Sequence, residues 1–239
     1  MITLIGIDCA TRPEKVGLAR ARWNPGGAPL HELEFHRSRP NANIPAWIRS
    51  WIAPAGLTLL ALDAPLGWPA AFGQALAAHQ AGQPLEVENE TFFRRQTDVL
   101  VDDIHRPMDV TADRIARTAY WAVDLLGKIS SFPIPLAWDP YHLPPLSAIE
   151  VYPAATLKRM DLLVAGYKSA GQEELRKQII GGIEGRFSGP VKWDPCMEDA
   201  DQLDAAVCLL AAADFLSNQD TPPQDLDLAK KEGWIWVRR

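Results

Sequence analysis

Two apolar segments of this chain, Ile2-Thr3-Leu4-Ile5-Gly6-Ile7 and Leu57-Thr58-Leu59-Leu60-Ala61-Leu62, each run directly into an aspartate, Asp8 and Asp63. Short runs of aliphatic and β-branched residues without polar alternation are the pattern of strands covered on both faces. In open α/β sheets, ligands bind in the crevice beyond the carboxyl ends of such strands. A carboxylate at that end therefore faces the crevice. If the two strands lie side by side their acids converge, and converging acids call for a cation between them.

The remaining segments predict a mixed α/β sheet with helices on its faces. Lys15 to Trp23 and Leu30 to Phe35 read as strands, the second alternating apolar and polar residues, with Asn24-Pro25-Gly26-Gly27 as the turn between them. With residues 2–8 they form an antiparallel meander. Ile44 to Ile52 carries Ile44, Trp47, Ile48, Trp51 and Ile52 at helical spacing, and Pro45 suits an early helix position. Between about residues 66 and 145 lie a helix near 70–80, a polar stretch over 82–98, a helix from Thr111 to Lys128 and a proline-rich return. No flexible linker separates this segment, so it reads as an insertion within a single 1–239 domain. Leu146 to Tyr152 is a further strand, interrupted by Glu150. Helices are expected over about 154–160, 173–183 and 198–216, and a short final strand over 232–237.

Composition narrows the function classes. The net charge is 24 − 30 = −6, so no global basic field draws in nucleic acid or anionic membrane, and a polyanion would need a local basic patch or metal ions. Cys9, Cys196 and Cys208 have no paired spacing, which predicts a reduced, cytoplasmic protein without a disulfide framework or zinc motif. The apolar start is about seven residues long, lacks a basic leader and ends in Asp8, unlike a signal peptide. No apolar run approaches the roughly 20 residues of a membrane span. There is no P-loop, no Gly-x-Gly-x-x-Gly, no Gly-x-Ser-x-Gly and no paired-histidine zinc pattern.

Each acid has an ordinary reading beside the functional one. Asp8 and Asp63 also suit turns, given Thr11 and Pro13 after one and Ala64-Pro65 after the other. Asp199 is explained as a helix cap. Asp204 is not, because it lies among Leu203, Ala205, Ala206 and Val207, where an unpaired charge is costly. Asp201 and Asp204 are three apart, share a helix face and can reach one ion together. Magnesium suits such a set, since it takes oxygen ligands and keeps waters for substrate phosphates; two ions about 4 Å apart activate water and stabilise the leaving oxygen of a phosphodiester. Glu150 is either an edge-strand surface residue or a fourth member. Arg95 and Lys168 are candidates for phosphate, or surface ion pairs, and Trp68 for stacking on a base.

Taken together, Gly6-Ile7-Asp8-Cys9-Ala10, Asp63-Ala64-Pro65-Leu66-Gly67, Arg95-Gln96-Thr97-Asp98, Glu150-Val151-Tyr152-Pro153, Asp201-x-x-Asp204-Ala205-Ala206 and Glu232-Gly233-x-Ile235 resemble the domain of unknown function 429 family, in order and across essentially the whole chain. That family is regarded as a predicted nuclease with a ribonuclease H-like fold. The resemblance implies a mixed five-stranded sheet with Asp8 on the first strand and Asp63 on the fourth, and an acidic pair on the last helix similar to that of Holliday-junction resolvases; the helical insertion, which then lies between the fourth and fifth strands, is absent from minimal ribonuclease H domains. The expectation is a magnesium- or manganese-dependent nuclease or phosphodiesterase, with two ions. Asp8, Asp63, Asp201 and Asp204 would bind metal, Glu150 would serve as a ligand or base, and Arg95, Asp98, Lys168 and Trp68 would contact a nucleic acid or a small phosphoester. The alternatives are a nucleotide- or sugar-phosphate-binding protein on the related actin-like ATPase scaffold, and a non-catalytic interaction domain whose acids are helix caps.

Overall fold

A computed structural model describes residues 1–26, 29–163 and 165–239; Gly27 of the expected turn lies outside the described residues. In chain order the elements are β1 (Ile2–Asp8), β2 (Gly17–Trp23), β3 (Leu30–Arg37), α1 (Ile44–Trp51), β4 (Leu57–Asp63), α2 (Ala70–Leu76), α3 (Asn89–Phe93), α4 (Gln96–Asp102), α5 (Asp113–Ile129), β5 (Leu146–Glu150), α6 (Pro153–Arg159), α7 (Glu173–Ile183), β6 (Phe187–Ser188), α8 (Asp194–Glu198), α9 (Ala200–Leu216) and α10 (Leu226–Glu232).

The strands form one mixed sheet in the order β5-β4-β1-β2-β3-β6. β1, β2 and β3 make the antiparallel meander, and β4 and β5 add in parallel on the other side of β1. The sheet has six strands, not five. The sixth, β6, pairs in parallel with the start of β3 through Leu30↔Phe187 and His31↔Ser188; two residues are too few to leave a periodic signal in sequence. The expected final strand is also absent as such: α10 runs to Glu232, and Ile235 makes one isolated parallel bridge to Glu150. The polar stretch over 82–98 contains two short helices, α3 and part of α4, that its composition does not announce. Asp98 accepts the free Arg95 N–H at 2.9 Å at the start of α4, a local hydrogen bond standing in for an apolar stripe.

Helices cover both faces, which is why β1 is buried from Ile2 to Ile7 with no polar alternation. One core joins Leu4, Leu59, Ala61 and Ile149 to α9 and α7. The other joins Ile5, Ile7, Leu60, Leu62 and Ala148 to α1 and α5. Apart from Asp204 and Asp214, α9 is apolar all round after its first turn, and it is buried along almost its whole length. Two glycines seat it against the sheet. A Cβ on Gly6 would collide with the Ala205 carbonyl oxygen, and one on Gly17 with that of Asp201. Among the described residues no helix is long and apolar enough to cross a membrane.

Candidate functional site

The pairing of β1 with β4 is one-to-one and parallel, and its last rung is Asp8↔Asp63. Side chains alternate across a strand. Asp8 therefore shares the face of Leu4 and Gly6, and Asp63 that of Leu59 and Ala61, which is the face covered by α9. α9 delivers Asp204 one turn into its buried length. The three carboxylates converge, each offering an oxygen within 4.8 Å of the others.

Asp8 and Asp63 are half-buried and Asp204 is buried. Asp204 is 1% exposed, and its Oδ1 accepts the Tyr167 hydroxyl at 2.7 Å. Lys168 brings Nζ to 2.5 Å from Asp204 Oδ2. The approach lacks hydrogen-bond geometry and leaves Oδ2 without a hydrogen bond. Burial, then Asp204 and Asp63, hold the Asp8 carboxyl well above the usual carboxylate range. Burial also pushes Asp63 up, to about 7, with Lys168 opposing and Asp204 adding to the rise. Burial alone would lower the Lys168 ammonium, but Asp204 and Asp63 outweigh it and raise the group. Arg176, buried on α7, holds the lysine's loop: its guanidinium donates to the carbonyls of Tyr167 at 2.7 Å, Ser169 at 3.1 Å and Met197 at 2.7 Å.

Glu150 ends β5 but stands on the other face. It alternates with Ile149 and sides with Ala148, toward the helices inserted between β4 and β5. There it meets Arg95, which is 1% exposed and uses all five of its guanidinium N–H donors internally. Nη1 and Nη2 donate to Glu150 at 2.9 and 2.7 Å, Nε and Nη2 to Asp98 at 3.0 and 2.7 Å, and Nη1 also to the Glu232 carbonyl at 3.2 Å. Glu150 also accepts the Leu66 N–H at 2.9 Å. Burial raises its pKa, against the pull of Arg95. The Glu232 carboxylate takes the free N–H groups of Ala70 and Gln96 at 2.7 and 2.9 Å, the first residues of α2 and α4. Gly233 follows at φ +84, where a Cβ would press on Glu150 and Arg95. These buried groups fasten the inserted helices to the strand tips.

A cleft of 380 Å³ opens over both groups, lined by Asp8, Asp63, Lys168, Arg95, Asp98 and Glu150 among others. Trp68 does not line it. Asp201 stays outside the triad: it lies 3.7 Å from Lys15, and its N–H donates to the capping Asp199 at 3.1 Å. Tyr167, Tyr152 and His105 are site neighbours that sequence reasoning did not single out. Tyr167 is adjacent to Lys168 in sequence, but nothing local marks either as facing Asp204. Burial, then Asp63, raises the Tyr152 hydroxyl to about 12.

Three clustered carboxylates are a hard-oxygen donor set of the kind magnesium and manganese take. Their 4.8 Å spread slightly exceeds the roughly 4.2 Å between opposite ligands at 2.1 Å bonds, so small side-chain rotations would close it on an ion.

No curated protein and no solved structure matches the chain. A family model described as "Protein of unknown function (DUF429)" matches residues 6–227, a span that contains Asp8, Asp63, Arg95, Glu150 and Asp204, and the chain therefore belongs to the DUF429 family.

Proposed function

We propose that this protein is a divalent-metal-dependent phosphodiesterase or nuclease on a ribonuclease H-like fold. The observation that carries the reading is the meeting of Asp8, Asp63 and Asp204 at the carboxyl ends of adjacent parallel strands, inside a cleft. The meander β1–β3 with β4 and β5 added in parallel supports the fold, with β6 as an edge addition. Three buried cysteines without disulfides support a cytoplasmic setting.

Bound magnesium or manganese would supply an activated water and charge stabilisation at the leaving oxygen of the ester. Asp8, Asp63 and Asp204 would hold the metal. Tyr167 fixes the orientation of Asp204 by donating to Oδ1. Lys168, whose side chain is 55% exposed, would swing from Asp204 to a phosphate oxygen once the acids are otherwise neutralised. Glu150 and Arg95 form the wall of the cleft, since each satisfies the other; this assigns them positioning, in place of base and phosphate contact. The triad accounts for one ion, and a second would draw on Asp201, released from Lys15.

The test is hydrolysis of bis(4-nitrophenyl) phosphate and of labelled oligonucleotides with manganese or magnesium. Activity that needs the metal and is lost in Asp8→Asn, Asp63→Asn and Asp204→Asn supports the reading. Absence of activity on both substrates, or activity unchanged in these variants, refutes it. One observation favours the non-catalytic alternative: Lys168 already neutralises Asp204 from within. Lys168→Met separates the two. An idle domain loses stability whatever the metal, whereas a metal site recovers the loss when manganese is added.

A further inference from the structure

The acidic cleft does not end at the triad. Cys9 and Thr118 also line a neighbouring depression of 400 Å³, whose other walls carry Arg12, Lys15, Arg114 and Arg117. That depression shares Thr11 and Arg117 with a third, of 540 Å³, walled by Tyr120 and Trp121. Acids, cations and aromatics thus follow one another along a continuous groove beside the first half of α5.

Helical spacing builds this groove. Arg114, Arg117, Thr118 and Trp121 stand at i, i+3, i+4 and i+7 and share one face of α5. Trp121 packs partly against the core, while Tyr120 is 70% exposed. The cations are partly answered from outside: Arg12 by Glu14 at 3.9 Å, Lys15 by Asp201 at 3.7 Å, Arg117 by Asp113 at 2.7 Å. None of those acids lines the depression, and Arg114 makes no ion pair among the described residues. On a chain of net charge −6, a hollow lined by four cations and no acid is a local concentration of positive charge.

We infer that this groove is a binding track for a single-stranded polynucleotide. The inference takes its purpose from the phosphodiesterase reading of the acidic cleft and names that site's substrate class. A small phosphoester would be held by the triad and Lys168 alone, with no use for a cationic hollow next door. A strand threaded through the cleft carries further phosphates, which the four cations match. An exposed tyrosine beside them suits an unpaired base, whose face a duplex would hide. Arg114 and Tyr120 are six residues apart, about 9 Å along the helix axis.

The test is fluorescence anisotropy of labelled dodecathymidylate with the full-length protein in EDTA, so that binding is read without hydrolysis. Four cation contacts predict a salt slope of about −2.8, at roughly 0.7 per phosphate for single strands. The double variant Arg114→Glu/Arg117→Glu should weaken binding at least tenfold and flatten the slope by about 1.4. Tyr120→Ala should weaken it by about 5- to 100-fold, the range of one stacked base. These side chains are exposed, so unfolding midpoints should not move, and Lys177→Glu, outside the groove, serves as control. No binding by the wild type, binding unchanged in both variants, or tighter binding of the matching duplex would overturn the track. The two readings fail separately. Metal-dependent cleavage of bis(4-nitrophenyl) phosphate without oligonucleotide binding sinks the track alone. Oligonucleotide binding that persists in Asp8→Asn/Asp63→Asn, with no hydrolysis in the wild type, sinks the phosphodiesterase and leaves the track standing.

Discussion

Replacing Asp63 by Asn should stabilise the metal-free protein at alkaline pH and abolish its response to metal. Asp63 keeps its proton up to about pH 7 in the fold, against an ordinary value of 3.8. The unfolded chain gives up that proton more readily, so folding favours the protonated form. The contribution is fully present below pH about 4, is lost as pH rises through 7, and is flat above. About 3 units at roughly 1.4 kcal/mol each put the cost of ionised Asp63 near 4 kcal/mol at pH 8. An asparagine removes that cost but leaves an amide with few partners, at about 1–3 kcal/mol. The net gain is about 1–3 kcal/mol, or roughly 2–12 °C in midpoint for a chain of this size. At pH 4 the gain should turn into a loss of about 1–3 kcal/mol, because wild-type Asp63 is then protonated and only the amide's cost remains. In the wild type at pH 8, manganese at 100 times its Kd should add about 2.7 kcal/mol, and in Asp63→Asn nothing. Calorimetry or dye-monitored melting at pH 4 and 8, with EDTA or manganese, reads all of this. A metal-free variant no more stable than wild type at pH 8, or one that keeps the manganese shift, would refute the crowded-carboxylate account.

Two further outcomes test the scaffold. Arg95→Ala strands Asp98 and Glu150 as buried, uncompensated acids and should cost about 3–5 kcal/mol in urea unfolding; Arg95→Lys should recover little, because an ammonium cannot supply the five forked donors in use. Gly6→Ala drives a methyl into the Ala205 carbonyl and should cost about 1–3 kcal/mol as α9 shifts. Because α9 carries Asp204, the same variant should also weaken manganese binding, read by calorimetric titration.

What could be read without the fold depended on how each element is stabilised. β1 and β4 are legible because strands buried on both faces must be apolar throughout, and their terminal aspartates then stand out. The buried length of α9 is legible for the same reason, and Asp204 and Asp214 stand out in it as charges that need partners. α4 and β6 are not legible, because Gln96 at the start of α4 and the two residues of β6 depend on partners distant in sequence, Glu232 and β3.

Residue order alone places acids at the ends of two buried strands and inside a buried helix. It could not determine which acids meet. That was decided by the Asp8↔Asp63 register, by the alternation that turns both toward α9 and Glu150 away, and by the two glycines that let α9 close on the sheet. Arg95 shows the same division: its charge is plain in the sequence, but only folding brings Asp98, Glu150 and the Glu232 carbonyl around it and takes up every donor it has. Burial patterns are local in sequence, and charge partners are not.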